Sequence, residues 1–278
     1  MKKTGRWRRV LSKVALYASL MTMLGGVLFP IYWMVRLSLD LAPFKDPTSL
    51  WPSWFGFEAY RTVFLRTPVL RWYWNSIFVT GFTLIFTLPC SALAGYALSR
   101  FRSTETTIFG YLILVAKMIP AGLLAIPLYV LFSRLKLLNN LFALVIANAT
   151  FAIPFCTWML KSFFDELPRE LEDAAEVDGC NVLGRFVWVI LPLSRPGLAA
   201  AAIYTAVVTW SEYILAVTFM THPKNWTAPV GVVSFKGEYI VRWNEVMAAS
   251  LVFTLPLLVV FAFFQKYLVK GLTAGAIK

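Results

Sequence analysis

Six stretches of this chain are long and apolar enough to cross the hydrocarbon core of a bilayer, and that property limits every fold open to it. They are Val14–Val35, Ser76–Leu98, Ile108–Leu131, Leu141–Leu160, Gly197–Met220 and Met247–Leu268. A core about 30 Å thick needs roughly 20 helical residues. In lipid every backbone N–H and C=O must be satisfied within the protein, so such segments are helices or strands of a closed barrel. The alternating pattern of barrel strands is absent. The expected fold class is all-α: a polytopic membrane protein with six transmembrane helices, forming one domain over residues 1–278. Composition agrees, with only 14% charged residues and a mean hydropathy of +0.69, whereas about a quarter of a soluble domain is charged. Pro120, Pro127 and Pro154 fall inside spans, where neighbouring helices can satisfy the freed carbonyls. No internal repeat relates the two halves.

A net charge of +12 raises the question of nucleic acid. The basic residues sit at the ends of apolar runs, where they orient helices and meet anionic headgroups of the lipid bilayer. A nucleic-acid binder would gather them on one water-facing surface. The basic start, "MKKTGRWRRVLSK", precedes an apolar run too long for a signal peptide and without a small-residue cleavage site, so it reads as an uncleaved first span. Lys2, Lys3, Arg6, Arg8, Arg9 and Lys13 make the N-terminus the densest basic segment, which predicts that it is cytoplasmic. Arg102 and Lys278 add to the same side. With six spans the C-terminus is cytoplasmic too. The aromatic-rich loops Asp40–Trp74 and Thr221–Glu245 then lie outside, mostly as an interfacial belt.

Cys90, Cys156 and Cys180 suggest neither a disulfide framework nor a metal site. His222, the lone histidine, falls in a polar loop, and no catalytic group emerges. The notable polar residues within spans are Lys117, Asn148, Tyr204, Thr205, Thr209 and Glu212. Such groups face protein or water. Tyr204, Thr209 and Glu212 are candidates for a substrate pathway, though Glu212 fits structural pairing equally well. Lys117 fits either snorkelling or pairing with a partner subunit.

One segment breaks the apolar pattern. Seven of the fourteen acidic residues lie between Asp165 and Asp178. Pro168 suits a first helical turn. Leu171, Ala174, Ala175 and Asp178 share one face at helical spacing, while Glu172, Asp173 and Glu176 project elsewhere. Gly179 is placed to take the left-handed conformation that ends a helix. A second helical stretch, Val182–Ile190, follows, and Pro192 and Pro196 precede the fifth span. The residues alone fit either a docking helix or an amphipathic loop covering helix ends.

"ELPRELEDAAEVDG…F…ILPLSRPG" resembles the EAA signature of ABC-importer permeases. Asp173 takes the position of the family's Glu, and Ala174, Ala175, Asp178, Gly179, Phe186, Leu191, Pro192 and Pro196 match. Cys180 replaces a small alanine. "SALAGYALSRF", "WSEYILAVTF" and "QKYLVKGLTAGAIK" are similar to other parts of the smaller carbohydrate (maltose-type) permease subunit, which reads Trp-Asn-Glu where this chain has Trp210, Ser211 and Glu212. The resemblance implies the type I importer permease fold in a bacterial inner membrane. It implies a coupling segment, 165–196, in which Glu172, Asp173, Ala174, Ala175, Asp178 and Gly179 meet a cytoplasmic ATPase. It further implies a second permease subunit, an ATPase dimer, an extracytoplasmic solute-binding protein, and a sugar or oligosaccharide as cargo. The sequence contains no phosphate-binding Gly-x-x-x-x-Gly-Lys-Ser/Thr loop. ATP and Mg are therefore expected on the partner ATPase, with no cofactor bound here.

Two other classes compete. A secondary carrier would show internal symmetry and coupling carboxylates in several spans, whereas Glu212 is the one carboxylate in a predicted span. An intramembrane hydrolase would need a buried Ser–His or Asp pair, and His222 lies outside the spans.

Overall fold

The computed structural model describes residues 4–43, 45–46, 48–101, 103–236 and 241–274. Lys2, Lys3, Arg102 and Lys278 of the charge argument lie outside the described residues, as does the stretch 237–240 of the expected outer loop. Two compact units divide the chain: Met1–Thr67 with Val233–Val252, and Pro68–Val232 with Phe253–Lys278.

In the first unit α1 (Thr4–Ser38) extends the first expected span at both ends. A buried ion pair at its end, Arg36–Asp40 at 3.0 Å, organises the loop that follows. Arg36 Nη2 also donates to the carbonyls of Asp46 and Trp51. Asp40 accepts N–H groups from Ala42, Ser53 and Trp54 at 3.0–3.4 Å and bridges to Phe55. Burial alone would raise the Asp40 carboxyl, but those three N–H groups and Arg36 outweigh it and hold the group below the usual carboxylate range. The aromatic loop is therefore wrapped around one carboxylate, with Trp51, Trp54, Phe55 and Phe57 exposed. α2 (Glu58–Arg66) completes this part.

The second unit holds α3 (Val69–Arg100), α4 (Thr104–Lys117), α5 (Ala121–Arg134), α6 (Leu141–Asp165), α7 (Glu170–Val177), α8 (Val182–Gly184), α9 (Leu191–Leu193), α10 (Arg195–Trp210) and α11 (Ile214–Phe219). α12 (Ala228–Ser234) and α13 (Trp243–Ala274) contribute residues to both units. The core is the packing of α3 on α6, joined by α10. Thr83, Thr87, Ser91 and Gly95 recur every four residues on α3, and all are buried. A side chain at Gly95 would stand 2.9 Å from the Thr157 carbonyl oxygen and 3.0 Å from the Lys161 nitrogen, so the two backbones meet there. Small residues allow this approach, and dispersion then holds helices together where lipid removes the hydrophobic drive.

The structure corrects the expected spans in two places. Val69–Arg100 and Leu141–Asp165 are single apolar helices that contain the second and fourth. The third, Ile108–Leu131, breaks into α4 and α5, which meet at 96°. Pro120 has no N–H to donate and its ring blocks the preceding turn. The fifth, Gly197–Met220, ends at Trp210 and resumes as the short α11. Among the described residues three helices are each long and apolar enough to cross a membrane, or up to five if two bent pairs, α4 with α5 and Val182–Leu193 with α10, each count as one. The sixth, Met247–Leu268, lies within α13.

The loop after α11 is not free. Trp72 Nε1 donates to the Pro223 carbonyl at 2.8 Å, and Asn75 Nδ2 donates to those of Lys224 and Trp226. The Ala228 N–H in turn donates to Ser76 Oγ. Trp72 is buried, so part of the aromatic enrichment read as a belt is core.

Candidate functional site

The acidic segment folds as a helix, a tight turn and a second helical stretch. Acidic Glu170, Glu172 and Asp173 occupy the first turn of α7, where the helix dipole favours them. The helix ends at Gly179, with φ of 88°. The Cys180 N–H donates to the Ala175 carbonyl at 2.9 Å and the Gly179 N–H to that of Glu176 at 3.0 Å. These two bonds form the Schellman closure that a left-handed residue permits. Asn181 then caps α8, its Oδ1 accepting the Gly184 N–H at 2.8 Å. Asn before an apolar helical run is a readable start signal, and the sequence reading passed over it. From Arg185 to Ile190 the helix widens to a π-turn before α9, and α10 leaves at a 79° bend.

The faces of α7 differ from the expected ones. Glu172 and Ala175, three residues apart, are the buried positions. Leu171, Asp173, Ala174, Glu176, Val177 and Asp178 are exposed, Val177 by 88%. Helical spacing identifies a shared face but not which face is covered. Glu172, expected off the face shared by Leu171, Ala174, Ala175 and Asp178, points in because it has partners there.

Those partners tie α7 to the end of α3. Glu172 Oε1 pairs with Arg100 Nε, and Oε2 accepts from Tyr96 Oη at 2.5 Å. Both charged side chains are less than a tenth exposed. Arg100 Nη2 reaches the Leu167 carbonyl at 3.2 Å, and its Nη1 donates to Ser99 Oγ at 3.0 Å. Ser99 Oγ also donates to Asp165 at the end of α6, 2.6 Å away. Beneath lie Tyr96, Phe164 and Phe186 in mutual ring contact. Arg185 pairs with Glu176 and so ties the second stretch back to α7. One cluster of charges thus joins α3, α6 and α7 over an aromatic floor.

The three candidate pathway residues have separate environments. Glu212 sits in the break after α10, where its carboxylate accepts the N–H groups of Leu215 at 2.6 Å and Ala216 at 3.0 Å. It caps α11 and so supports the break itself. Thr209 is buried, and its Oγ1 has no hydrogen-bond partner among the described residues. Tyr204 is half-buried, packs at a 33° tilt against Phe155 with ring centroids 4.1 Å apart, and accepts from Lys117 Nζ at 3.0 Å. Lys117 is exposed at the end of α4, where the third span breaks.

Bent apolar helices around a small-residue core, with a polar helix fastened to the ends of α3 and α6, define a helical membrane protein. The chain belongs to the family of binding-protein-dependent transport system inner membrane components, whose model matches residues 87–274. It is 34% identical over 253 residues to the sulfoquinovosyl glycerol transport system permease protein SmoH of Agrobacterium fabrum, covering 90% of this chain and 89% of that one. Identity to the trehalose/maltose transport system permease protein MalG of Thermococcus litoralis is 32% over 276 residues, covering 97% and 98%. Its fold is that of a chain in the crystal structure of a bacterial ABC transporter involved in the import of the acidic polysaccharide alginate. That match has a TM-score of 0.77 at 24% identity, over 96% of this chain and 99% of the other. A secondary carrier is not favoured.

Proposed function

We propose that this chain forms half of the translocation pathway of an ATP-driven importer of a sugar or oligosaccharide. It works with a second permease subunit, a cytoplasmic ATPase dimer and an extracytoplasmic solute-binding protein. The similarity to permeases named for trehalose/maltose and sulfoquinovosyl glycerol transport supports the cargo class. In this reading both termini and α7 are cytoplasmic, ATP and Mg are bound by the ATPase, and the chain hydrolyses nothing itself.

The observation that carries the coupling role is the buried Arg100–Glu172 pair. α7 presents Asp173, Ala174, Val177 and Asp178 outward, while Glu172, Ala175 and the Gly179 closure hold it rigid. A push on the outer face reaches α3 through a short, buried, charge-assisted contact. Ala174 and Val177 are the apolar points at which a cleft in the ATPase would grip. Of the pathway candidates, Tyr204 faces the cargo, and Glu212 supports the broken span.

The test is a cysteine at Ala174 or Val177, made with Cys180→Ser, in the complete complex. It should cross-link to a cysteine in the ATPase cleft with a yield that changes on adding ATP, and Ala174→Trp should abolish ATP-driven uptake. Wild-type uptake in Ala174→Trp with no cross-link would reduce α7 to a loop that covers helix ends.

A further inference from the structure

We propose that Lys117, set beside the Tyr204–Phe155 ring pair, is a charge-selective contact of the pathway, and that the cargo is therefore an acidic saccharide bearing a carboxylate or sulfonate. The inference rests on the sugar-importer reading above and narrows its substrate class. Lys117 is the last residue of α4, thirteen steps from Thr104, and so about 20 Å along the helix from its start at 1.5 Å per residue. α4 and α5 together are apolar enough to form one bent span, and an ammonium group within such a segment needs water, an anion or a buried partner.

Its surroundings on this chain narrow those options. Lys117 Nζ is turned sideways onto α10, 3.0 Å from Tyr204 Oη and 5.7 Å from the ring centroid. A snorkelling lysine would instead run along its own helix toward the headgroups. Among the described residues no carboxylate forms an ion pair with it. The hydroxyl of Tyr204 satisfies one of three N–H donors and supplies no charge. Lys117 is nonetheless exposed on this chain, as is Phe155 at 38%.

The break in the third span keeps the position open. After Lys117 the chain turns through 96° at Pro120, so the next helical turn does not continue past the ammonium. The exposed part of this packed ring pair, with a cation at its edge, matches a sugar ring that carries an acid group. The rings take the apolar face of the sugar, and the lysine takes the anion. Beneath them Cys156 and Thr205 are fully buried, 3.3 Å apart, which gives the ring pair a packed floor.

The test uses the complete complex in proteoliposomes with matched probes: a neutral disaccharide, the same disaccharide oxidised to a uronate, and a sulfonated monosaccharide. The binding protein is first screened for each, and ATP-dependent uptake is then measured. Wild-type complex should import an acidic probe. Lys117→Met should lower that uptake roughly tenfold or more, as removing one partner of a desolvated charge contact does. Lys117→Arg should keep most of it, and Tyr204→Phe should show a smaller loss. Recovery of the second permease and the ATPase with each variant should match wild type. Uptake of neutral probes alone, or of the acidic probe at the wild-type rate by Lys117→Met, overturns the charge inference and leaves the importer reading standing. Failure of Lys117→Met and Lys117→Gln to assemble would instead assign the lysine to a carboxylate of the second permease and overturn it likewise. No ATP-dependent uptake of any saccharide would defeat the importer reading itself.

Discussion

Two buried arginine–carboxylate pairs do different work in this chain. Arg36–Asp40 joins residues four apart, while Arg100–Glu172 joins residues seventy-two apart on different helices. Both are nearly sealed from solvent, at 1% and 0% exposure for the first pair and 9% and 8% for the second. The first closes a local loop and would form wherever that loop formed. The second exists only because α3, α6 and α7 have already come together. A local pair specifies a shape, whereas a long-range pair specifies a mechanical connection. Breaking each in turn should therefore separate stability from coupling.

The largest stability effect is expected at Asp40. Asp40→Ala leaves the Arg36 charge without its carboxylate, held only by the Asp46 and Trp51 carbonyls, and strands three backbone N–H groups as well; breaking such a buried pair costs about 3–5 kcal/mol. A lower melting temperature of the purified complex, with exposure of the 39–57 loop to protease, checks this. The pH dependence follows from the same group. Its folded pKa lies below the unfolded value of about 3.9. Its contribution is therefore complete above that value and is lost as the pH falls through the folded pKa. Protease resistance of the loop should hold at neutral pH and fail in strong acid.

Glu172→Ala comes next, at about 3 kcal/mol, the lower end of the same range. Arg100 keeps its bonds to the Leu167 carbonyl and Ser99, which softens the loss. Its effect on function should be the greater one: ATP-driven uptake should collapse while the spans stay inserted. The double variant Arg100→Met with Glu172→Leu should recover stability but not full uptake. Recovery of both would make the pair a packing element only.

Gly179→Val forces a β-branched residue to φ of 88°, with strain of about 1–3 kcal/mol. The space around Gly179 is open, so the penalty is backbone strain and not a clash. The Schellman closure should loosen, seen as faster amide exchange at Cys180, with weaker recovery of the ATPase. Val177→Asp is the smallest in stability, within about 0.5 kcal/mol for so exposed a site. If Val177 grips the ATPase, its effect on uptake should approach that of Glu172→Ala. An unchanged uptake rate would move the docking contact off this residue.

Much of this architecture could be read from residue order. Span positions, the helix–turn–helix of the acidic segment and the left-handed Gly179 all follow from local chemistry. Apolar length, helix capping and one residue free of a Cβ act within a few positions of themselves. The breaks at Pro120 and Glu212 carried local signals too, a missing N–H and a carboxylate able to cap, but a window of apolar residues outweighs them.

The orientation of α7 was beyond that reach. Glu172 is as acidic as Asp173, and only the arrival of Arg100 and Tyr96 makes its burial favourable. Lys117 likewise reads as a stray charge until α10 brings Tyr204 and Phe155 beside it. The sequence by itself determined that the chain is helical, membrane-embedded and interrupted by one polar helix–turn–helix segment, because those properties depend on neighbours in order. Tertiary structure alone decided which charges pair across the chain, as Arg100 does with Glu172, and which stand open, as Lys117 does, because the cost of burying such a charge depends on partners that are distant along the chain and close in space.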